Sequence, residues 1–321
     1  MRRLLTYVLA ALPLLLIVAV WWLYAPDKPR AALEARYATA PSQFLDVADL
    51  RLHLRDSGRR GAPPVIFLHG FGSSLHTWEQ VAAGLESDFR VIRLDLPGFG
   101  LTGTDPTGDY SDARSHGVIL ALMAQLGLER AALVGSSMGG RIAWSFASAY
   151  PERVSRLVLM APDGFASPGI GYEQRPHVPM LMRVLPYTLP DSMLRASLKP
   201  AYGDASAVTE ATFERYRDMM LAPGVRQAIL DRMAQHVLLR PEPLLARITL
   251  PVLLLWGDQD RMVPVTNAQD YLRALPDARL VTLPGKGHVP MEEAPGDVVR
   301  ALRAFLAAPR GALRDIRRWG G

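Results

Sequence analysis

Three side chains of this 321-residue sequence could together perform nucleophilic catalysis. Ser137 lies in the middle of Gly-Ser-Ser-Met-Gly, Asp260 ends Gly-Asp-Gln-Asp, and His288 follows Lys-Gly. A serine hydroxyl is a poor nucleophile until a base takes its proton, and an imidazole base needs a carboxylate that holds its tautomer and stabilises its charged form. The pattern predicts a serine hydrolase, with Ser137 as candidate nucleophile, His288 as candidate base and an aspartate of Gly-Asp-Gln-Asp, Asp258 or Asp260, as candidate orienting acid.

A sharp turn between a strand and a helix must position the serine. A short apolar run precedes Ser137, and residues 141–150 have the apolar spacing of a helix. Such a turn holds the hydroxyl clear of the sheet, and Gly135 and Gly139 leave room for it. The helix beginning at Met138 directs free N–H groups to the same place. A negatively charged oxygen would be stabilised there.

Apolar runs with the length of strands alternate with helix-like stretches along most of the chain. This alternation predicts a doubly wound, mostly parallel, eight-stranded sheet, in which Asp260 and His288 leave the same edge as Ser137. The predicted strands are 44–47, 50–55, 64–68, 90–94, the run before Ser137, 153–160, 252–256 and 279–283. The predicted helices outside the turn are 75–85, 111–126, 265–275 and 297–307.

The alternation stops after Asp163 and resumes near Ile248. Residues 164–246 contain many prolines and short amphipathic pieces, and they are predicted to form a helical lid inserted between the two parts of the core, 43–163 and 247–308. The methionines of the lid could fill gaps in its packing or contact an acyl chain, and the composition does not separate these alternatives.

The N-terminal residues 1–26 are predicted to be a membrane anchor. Arg2 and Arg3 precede an apolar run, 4–24, whose helical length matches a bilayer of about 30 Å and which ends in aromatic residues. A cleaved signal peptide with export is the alternative, although the usual small-residue cleavage site is missing. We therefore expect a single-pass protein, at the cell inner membrane.

Prolines and mixed charges predict a linker at 27–42, and residues 309–321 are predicted to form a basic tail.

The composition also excludes several classes of function. The net charge of +5 is scattered and accompanies no aromatic and basic nucleic-acid motif, so no nucleic-acid partner is expected. The absence of cysteine excludes disulfides, zinc thiolate sites and thiol nucleophiles. No spacing of ligands suggests a metal, and no cofactor is expected.

Five motifs in order resemble the α/β-hydrolase superfamily over roughly residues 44–307. They are Leu68-His69-Gly70-Phe71-Gly72, Asp95-Leu96-Pro97-Gly98-Phe99-Gly100, Gly135-Ser136-Ser137-Met138-Gly139-Gly140, Trp256-Gly257-Asp258-Gln259-Asp260 and Gly287-His288. The resemblance implies Ser137 as nucleophile, His288 as base and Asp260 as orienting acid. It also implies an oxyanion hole made by the backbone N–H groups of Phe71 and Met138. Asp163, after the preceding strand, is the second-choice acid, and Asp258 is expected to be a turn residue. His69 is expected to order the oxyanion loop.

Within the superfamily, Met138, the double glycine and the apolar N-terminus resemble the monoacylglycerol-lipase-like branch. The expected substrate is therefore a small-molecule carboxylic ester, such as a monoacylglycerol or another lipid ester, cleaved on a membrane. A carbon–carbon bond hydrolase acting on meta-cleavage products is an alternative, although such enzymes typically have tryptophan where this chain has Val289. A haloperoxidase-like hydrolase is a further alternative. A non-catalytic, membrane-tethered scaffold is the alternative of another class.

Overall fold

Eight strands form one sheet in the computed structural model, which describes residues 21, 23–166 and 171–309. The strands are β1 Ser42–Val47, β2 Leu50–Ser57, β3 Pro64–Leu68, β4 Arg90–Leu94, β5 Ala131–Ser136, β6 Val154–Met160, β7 Val252–Gly257 and β8 Ala278–Leu283. Their order in the sheet is β1-β2-β4-β3-β5-β6-β7-β8. Strand β2 pairs antiparallel with both neighbours, and the other pairs are parallel. The predicted eight-stranded, mostly parallel sheet is confirmed.

Helices surround this sheet and form the segment between β6 and β7. The α-helices are α1 Arg30–Tyr37, α2 Glu79–Ala83, α3 Asp112–Gln125, α4 Met138–Ala149, α5 Asp191–Leu198, α6 Glu210–Met220, α7 Val225–Gln235, α8 Glu242–Leu245, α9 Asn267–Ala274, α10 Pro290–Glu293 and α11 Pro295–Ala307. Short 3-10 helices lie at Leu75–Trp78, Pro151–Arg153, Met180–Tyr187, Lys199–Ala201 and Ala205–Ala207.

The sheet is buried on both faces. Successive side chains of a strand point to opposite sides, and β3 accordingly divides its apolar residues between two cores. Ile66 and Leu68 belong to the core on one face, and Val65 and Phe67 belong to the core on the other. Each fully buried aliphatic side chain of this kind contributes about 1.5–3 kcal/mol. Near-continuous apolar runs are therefore required in the central strands.

The strand order brings two distant loops together. Strand β4 lies between β2 and β3, so β3 has β5 as its other neighbour, with Leu68 opposite Gly135. The loop that follows β3 therefore lies beside the turn that follows β5. A Cβ atom placed on Gly70 would lie 3.3 Å from the Cβ of Ser137.

Residues 27–42, whose composition predicts a linker, are folded onto the rest of the chain. They include helix α1, and the backbone N–H of Lys28 donates to the carbonyl of Leu221 at 2.8 Å. The buried Asp218 on α6 accepts hydrogen bonds from Lys28, Arg36 and Tyr37. The charges of Lys28 and Arg36 thus have a partner on helix α6, almost two hundred residues away in the chain.

Most residues of the two predicted terminal segments lie outside the described part of the chain. The predicted transmembrane helix has only Trp21, Leu23 and Tyr24 of its apolar run among the described residues, and the basic tail only residue 309. Within 21, 23–166 and 171–309, no helix combines the length and the hydropathy needed to cross a bilayer.

Candidate active site

Ser137 occupies a strained turn between β5 and α4. Its backbone has φ 52° and ψ −119°, and residues other than glycine rarely adopt a positive φ. The two glycines of the motif are needed for close approach. A Cβ on Gly135 would lie 2.2 Å from the carbonyl oxygen of Gly139, and a Cβ on Gly139 would lie 2.4 Å from that of Leu68. Strain of this kind persists where the surroundings enforce it, and here it presents the hydroxyl at the edge of the sheet.

His288 and Asp260 form a buried hydrogen-bonded pair. His288 Nδ1 lies 2.7 Å from Asp260 Oδ2, and the two residues are only 4% and 7% exposed. The other carboxylate oxygen of Asp260 accepts the backbone N–H groups of Met262 and Val263, each at 2.8 Å. The carboxylate is therefore held in one orientation, and it assigns the proton of the neutral imidazole to Nδ1.

The loop that carries His288 is fastened on two sides. The backbone N–H of His288 donates to the carbonyl of Ala201 at 2.7 Å. Asp258 Oδ1 accepts the N–H of Gly285 at 2.7 Å, which joins the loops that follow β7 and β8. A Cβ on Gly257 would lie 2.2 Å from the carbonyl oxygen of Lys286, so these loops are in close contact. Asp258 thus holds a turn while Asp260 meets the histidine.

The second-choice acid, Asp163, has a different partner. Its backbone N–H donates to the carbonyl of Ser137 at 3.0 Å, so the residue lies beside the nucleophile turn. Its carboxylate accepts the Nε–H of Arg141 at 3.1 Å. Arg141 also pairs closely with Asp112. Asp163 and Asp112 therefore share one permanent cation of helix α4.

The two backbone groups predicted to form the oxyanion hole belong to adjacent loops. Met138 is the first residue of α4, where an N–H group has no partner within the helix. Phe71 follows β3, is 46% exposed, and packs its ring edge-to-face against Phe99 at 5.6 Å. Both loops leave the carboxyl ends of the neighbouring strands β3 and β5.

His69 holds the loop that bears Phe71. Its Nε2 accepts the backbone N–H of Leu96 at 3.0 Å, and Nδ1 lies 2.8 Å from the carbonyl oxygen of Gly70. This arrangement requires a neutral imidazole with its proton on Nδ1. Complete burial accordingly lowers the pKa of His69. The side chain has both nitrogens occupied, which suits an ordering role and not that of a base.

Asp95, the first residue of the motif Asp95-Leu96-Pro97-Gly98-Phe99-Gly100, also holds loops in place. The spacing of the motif did not predict this role. Asp95 is fully buried after β4, and it accepts the backbone N–H groups of Leu75 and Leu101 together with the imidazole of His53. Burial alone would raise the pKa of Asp95, but neighbouring histidines, His53 foremost, outweigh burial and hold the pKa at about 2. Asp95 therefore ties together the segments that follow β3 and β4.

Glu292, four residues after His288, connects the segment 202–216 to the histidine loop. Its carboxylate accepts hydrogen bonds from Arg215 and Tyr202 at 2.6 Å each and from Tyr216 at 3.1 Å. Thr77 also donates to this carboxylate. Burial beside this carboxylate raises the pKa of Tyr216, which keeps the phenol protonated as a donor. No short motif in the sequence marks Glu292, because its partners come from three separate segments.

Ser137, Asp260 and His288 thus follow β5, β7 and β8 at one edge of the sheet, where open α/β sheets place their sites. The structure brings Asp260 and His288 into contact and directs Asp163 toward Arg141. In the described part of the chain, no group of three or more histidine, aspartate or glutamate side chains could hold a metal ion.

Comparison with known proteins gives the same fold. The sequence profile of the family described as alpha/beta hydrolase fold matches residues 63–295. A 2-hydroxy-6-oxononadienedioate/2-hydroxy-6-oxononatrienedioate hydrolase of Paraburkholderia phymatum is 32% identical over 264 residues, which are 78% of this chain and 90% of that protein.

Two solved structures are also similar. A meta-cleavage product hydrolase from Pseudomonas fluorescens is 26% identical, with a TM-score of 0.71 over 82% of this chain and 97% of that chain. A membrane phospholipase A, described as a bacterial virulence factor, is 25% identical, with a TM-score of 0.72 over 98% of this chain and 100% of that chain. The motifs, the strand order and these matches lead to one conclusion: the chain belongs to the α/β-hydrolase family.

Proposed function

We propose that this protein is a serine hydrolase that cleaves its substrate at a carbonyl carbon through Ser137, His288 and Asp260. The observation that carries the proposal is the buried His288–Asp260 pair at the sheet edge that also bears the strained Ser137 turn. With Nδ1 directed to Asp260, the other imidazole nitrogen of His288 is the proton acceptor.

In the proposed reaction, His288 Nε2 takes the hydroxyl proton as Ser137 Oγ attacks the carbonyl carbon. The N–H groups of Phe71 and Met138 stabilise the resulting oxyanion, and Asp260 stabilises the imidazolium. The imidazolium returns its proton to the leaving group. Water, deprotonated by His288, then releases the acyl group from Ser137. The overall change is the addition of one water molecule across the broken bond.

Relatives support a meta-cleavage product as the first substrate class to consider. The Paraburkholderia relative is named for the hydrolysis of such compounds, and so is the Pseudomonas structure. In this reaction the leaving atom is a carbon. The substrate first moves the proton of its 2-hydroxyl group to that carbon, which leaves a ketone, so the electron pair of the broken bond is delocalised onto the ketone oxygen as a dienolate that takes the proton from His288. These relatives support a meta-cleavage product as substrate more than they support the lipid ester expected from the monoacylglycerol-lipase-like branch.

A carboxylic ester, including a lipid ester, is the second candidate. It is favoured by Val289, which stands where carbon–carbon bond hydrolases typically have tryptophan. The full-length similarity to a membrane phospholipase A also supports it. Both candidates share the attack by serine on a carbonyl and differ in the leaving atom.

A comparison of Ser137→Ala with Ser136→Ala tests the proposal. The wild type and Ser136→Ala are expected to react with a fluorophosphonate probe, and Ser137→Ala is expected to lose both this labelling and all turnover. Labelling and turnover that survive in Ser137→Ala would refute the triad, and a chain without any hydrolysis would favour the non-catalytic scaffold. A panel of a 2-hydroxy-6-oxo-dienoate, monoacylglycerols and p-nitrophenyl esters of several lengths separates the two substrate classes.

We also propose that residues 4–24 hold the protein on a membrane, with the cell inner membrane as its site. The support is the length, apolar character and aromatic end of this run in the sequence. Recovery of the intact full-length chain in the soluble fraction after lysis would refute this proposal.

A further inference from the structure

The lid presents a straight row of large apolar side chains to solvent. Leu181, Val184 and Tyr187 lie three residues apart on the 3-10 helix Met180–Tyr187, and residues so spaced are aligned along such a helix. All three are exposed, whereas Leu185 of the same helix packs against the cores. The helix therefore packs Leu185 inward and leaves a second row of apolar side chains in solvent.

The end of the N-terminal apolar run lies against the same helix. Tyr24 pairs antiparallel with Thr188, and the backbone N–H of Ala25 donates to the carbonyl of Tyr187 at 2.9 Å. Trp21, Leu23 and Tyr24 are all exposed. The two segments together make one surface, which we call the lid apolar face: Trp21, Leu23, Tyr24, Leu181, Val184 and Tyr187, with exposed fractions between 42% and 79%.

Single exposed apolar residues are ordinary on a protein surface, but six large ones in two adjoining segments mark a contact site. The charges nearby indicate what it contacts. Residues 174–190 contain Arg175 and Arg183, both exposed, and the acidic residues that border them are Glu173 and Asp191, of which Asp191 pairs with Arg217. Aromatic and aliphatic side chains flanked by arginines are the composition that binds the headgroup region of anionic bilayers.

We infer that the lid apolar face is a membrane-binding surface, seated in the headgroup region of a lipid bilayer. The position of Tyr24 supports a bilayer over another occupant, because the apolar run 4–24 ends on this face. A bilayer that contains the run must therefore adjoin the 3-10 helix. The inference rests on the proposed anchoring by residues 4–24, and it is independent of the bond that is cleaved.

This surface also connects the membrane to the site. The lid carries Ala201, whose carbonyl accepts the backbone N–H of His288. It also carries Tyr202 and Arg215, which bind Glu292. A bilayer at the lid apolar face would thus lie against the same segment that holds the histidine loop.

The absence of cysteine from the chain allows a direct test. Leu181→Cys, and separately Val184→Cys, are labelled with bimane in the full-length protein, which is reconstituted into vesicles of phosphatidylcholine and phosphatidylglycerol. Ser87→Cys is the matched control, because Ser87 is exposed near the amino end of β4, at the opposite edge of the sheet. We expect lipids brominated near the headgroup to quench the labels at 181 and 184 several-fold more than the label at 87, at every protein-to-lipid ratio.

Equal quenching at the three positions would overturn the inference, as would full-length protein that does not bind the vesicles. Blue-shifted emission at 181 that brominated lipid does not quench, and that grows with the protein-to-lipid ratio, would show that a second copy covers the face and would also overturn it. All readouts can be repeated in Ser137→Ala. A failure of the membrane inference is therefore distinguishable from a failure of the proposed catalysis.

Discussion

Asp260 and Asp163 are two carboxylates at the ends of neighbouring strands, yet their surroundings differ. Asp260 follows β7, is almost fully buried, and meets the imidazole of His288 and two backbone N–H groups. Asp163 follows β6, has a side chain that is 36% exposed, and meets Arg141. The residue type and the edge of the sheet are the same for both. Their partners distinguish the roles.

The difference has a simple electrostatic basis. All the hydrogen-bond donors that we find on Asp260 are neutral until His288 takes a proton, so the attraction increases as the imidazolium forms in the transition state. Arg141 is charged throughout, so its attraction to Asp163 is already present in the ground state. In the proposed mechanism, only the carboxylate of Asp260 provides stabilisation that is greater in the transition state than in the ground state.

Asp260→Asn should have the largest effect. An asparagine retains the shape of the residue but cannot stabilise the imidazolium or hold its tautomer, and we expect kcat to fall by about 10⁴. Steady-state kinetics on the best substrate of the panel, with circular dichroism to verify folding, measures this effect. A folded Asp260→Asn variant with nearly wild-type kcat would contradict the assignment of the acid.

Asp163→Asn should have a much smaller effect. Arg141 keeps its ion pair with Asp112, so we expect less than about a tenfold change in kcat and a loss of about 1 kcal/mol or less in the free energy of unfolding. Urea unfolding and the same kinetic assay provide the two values. If Asp163→Asn lowers kcat more than Asp260→Asn does, the orienting acid is Asp163 and the assignment of Asp260 is wrong.

The surroundings of Asp163 also predict a pH dependence of stability. Burial, and then Arg141, lowers the pKa of His236, which lies 3.9 Å from Asp163. Below the unfolded-state value of about 6.5, the unfolded chain binds a proton that the folded protein resists, so the free energy of unfolding should fall as the pH decreases. His69 contributes in the same direction.

His236→Gln should therefore flatten the decrease in the free energy of unfolding between about pH 7 and pH 5. Chemical denaturation at several pH values measures the slope, and His177→Gln, at an exposed histidine, is the control. A steeper slope in His236→Gln than in the wild type would show that the folded state stabilises the charged imidazole, which is the opposite of the sign derived from burial.

Local sequence patterns predicted much of the fold. The bounds of β3 and β4 agree with those expected, and helices α3 and α11 differ from the expected ranges by one or two residues at an end. Apolar periodicity is a local property, so it is readable without knowledge of tertiary contacts. The helix predicted at 75–85 instead divides into the 3-10 helix Leu75–Trp78 and α2. Its first N–H group is held by Asp95, twenty residues further along the chain.

The sequence by itself determined the class of sheet, the strained serine turn and a short set of chemical groups at the sheet edge, because strand length, glycine spacing and residue type are local. Only the tertiary structure decided that β4 lies between β2 and β3, that residues 27–42 fold onto the lid, and that His288 meets Asp260 while Arg141 takes Asp163. These choices depend on contacts between residues far apart in the chain. No pattern within a short stretch of sequence encodes which distant group will satisfy a given charge.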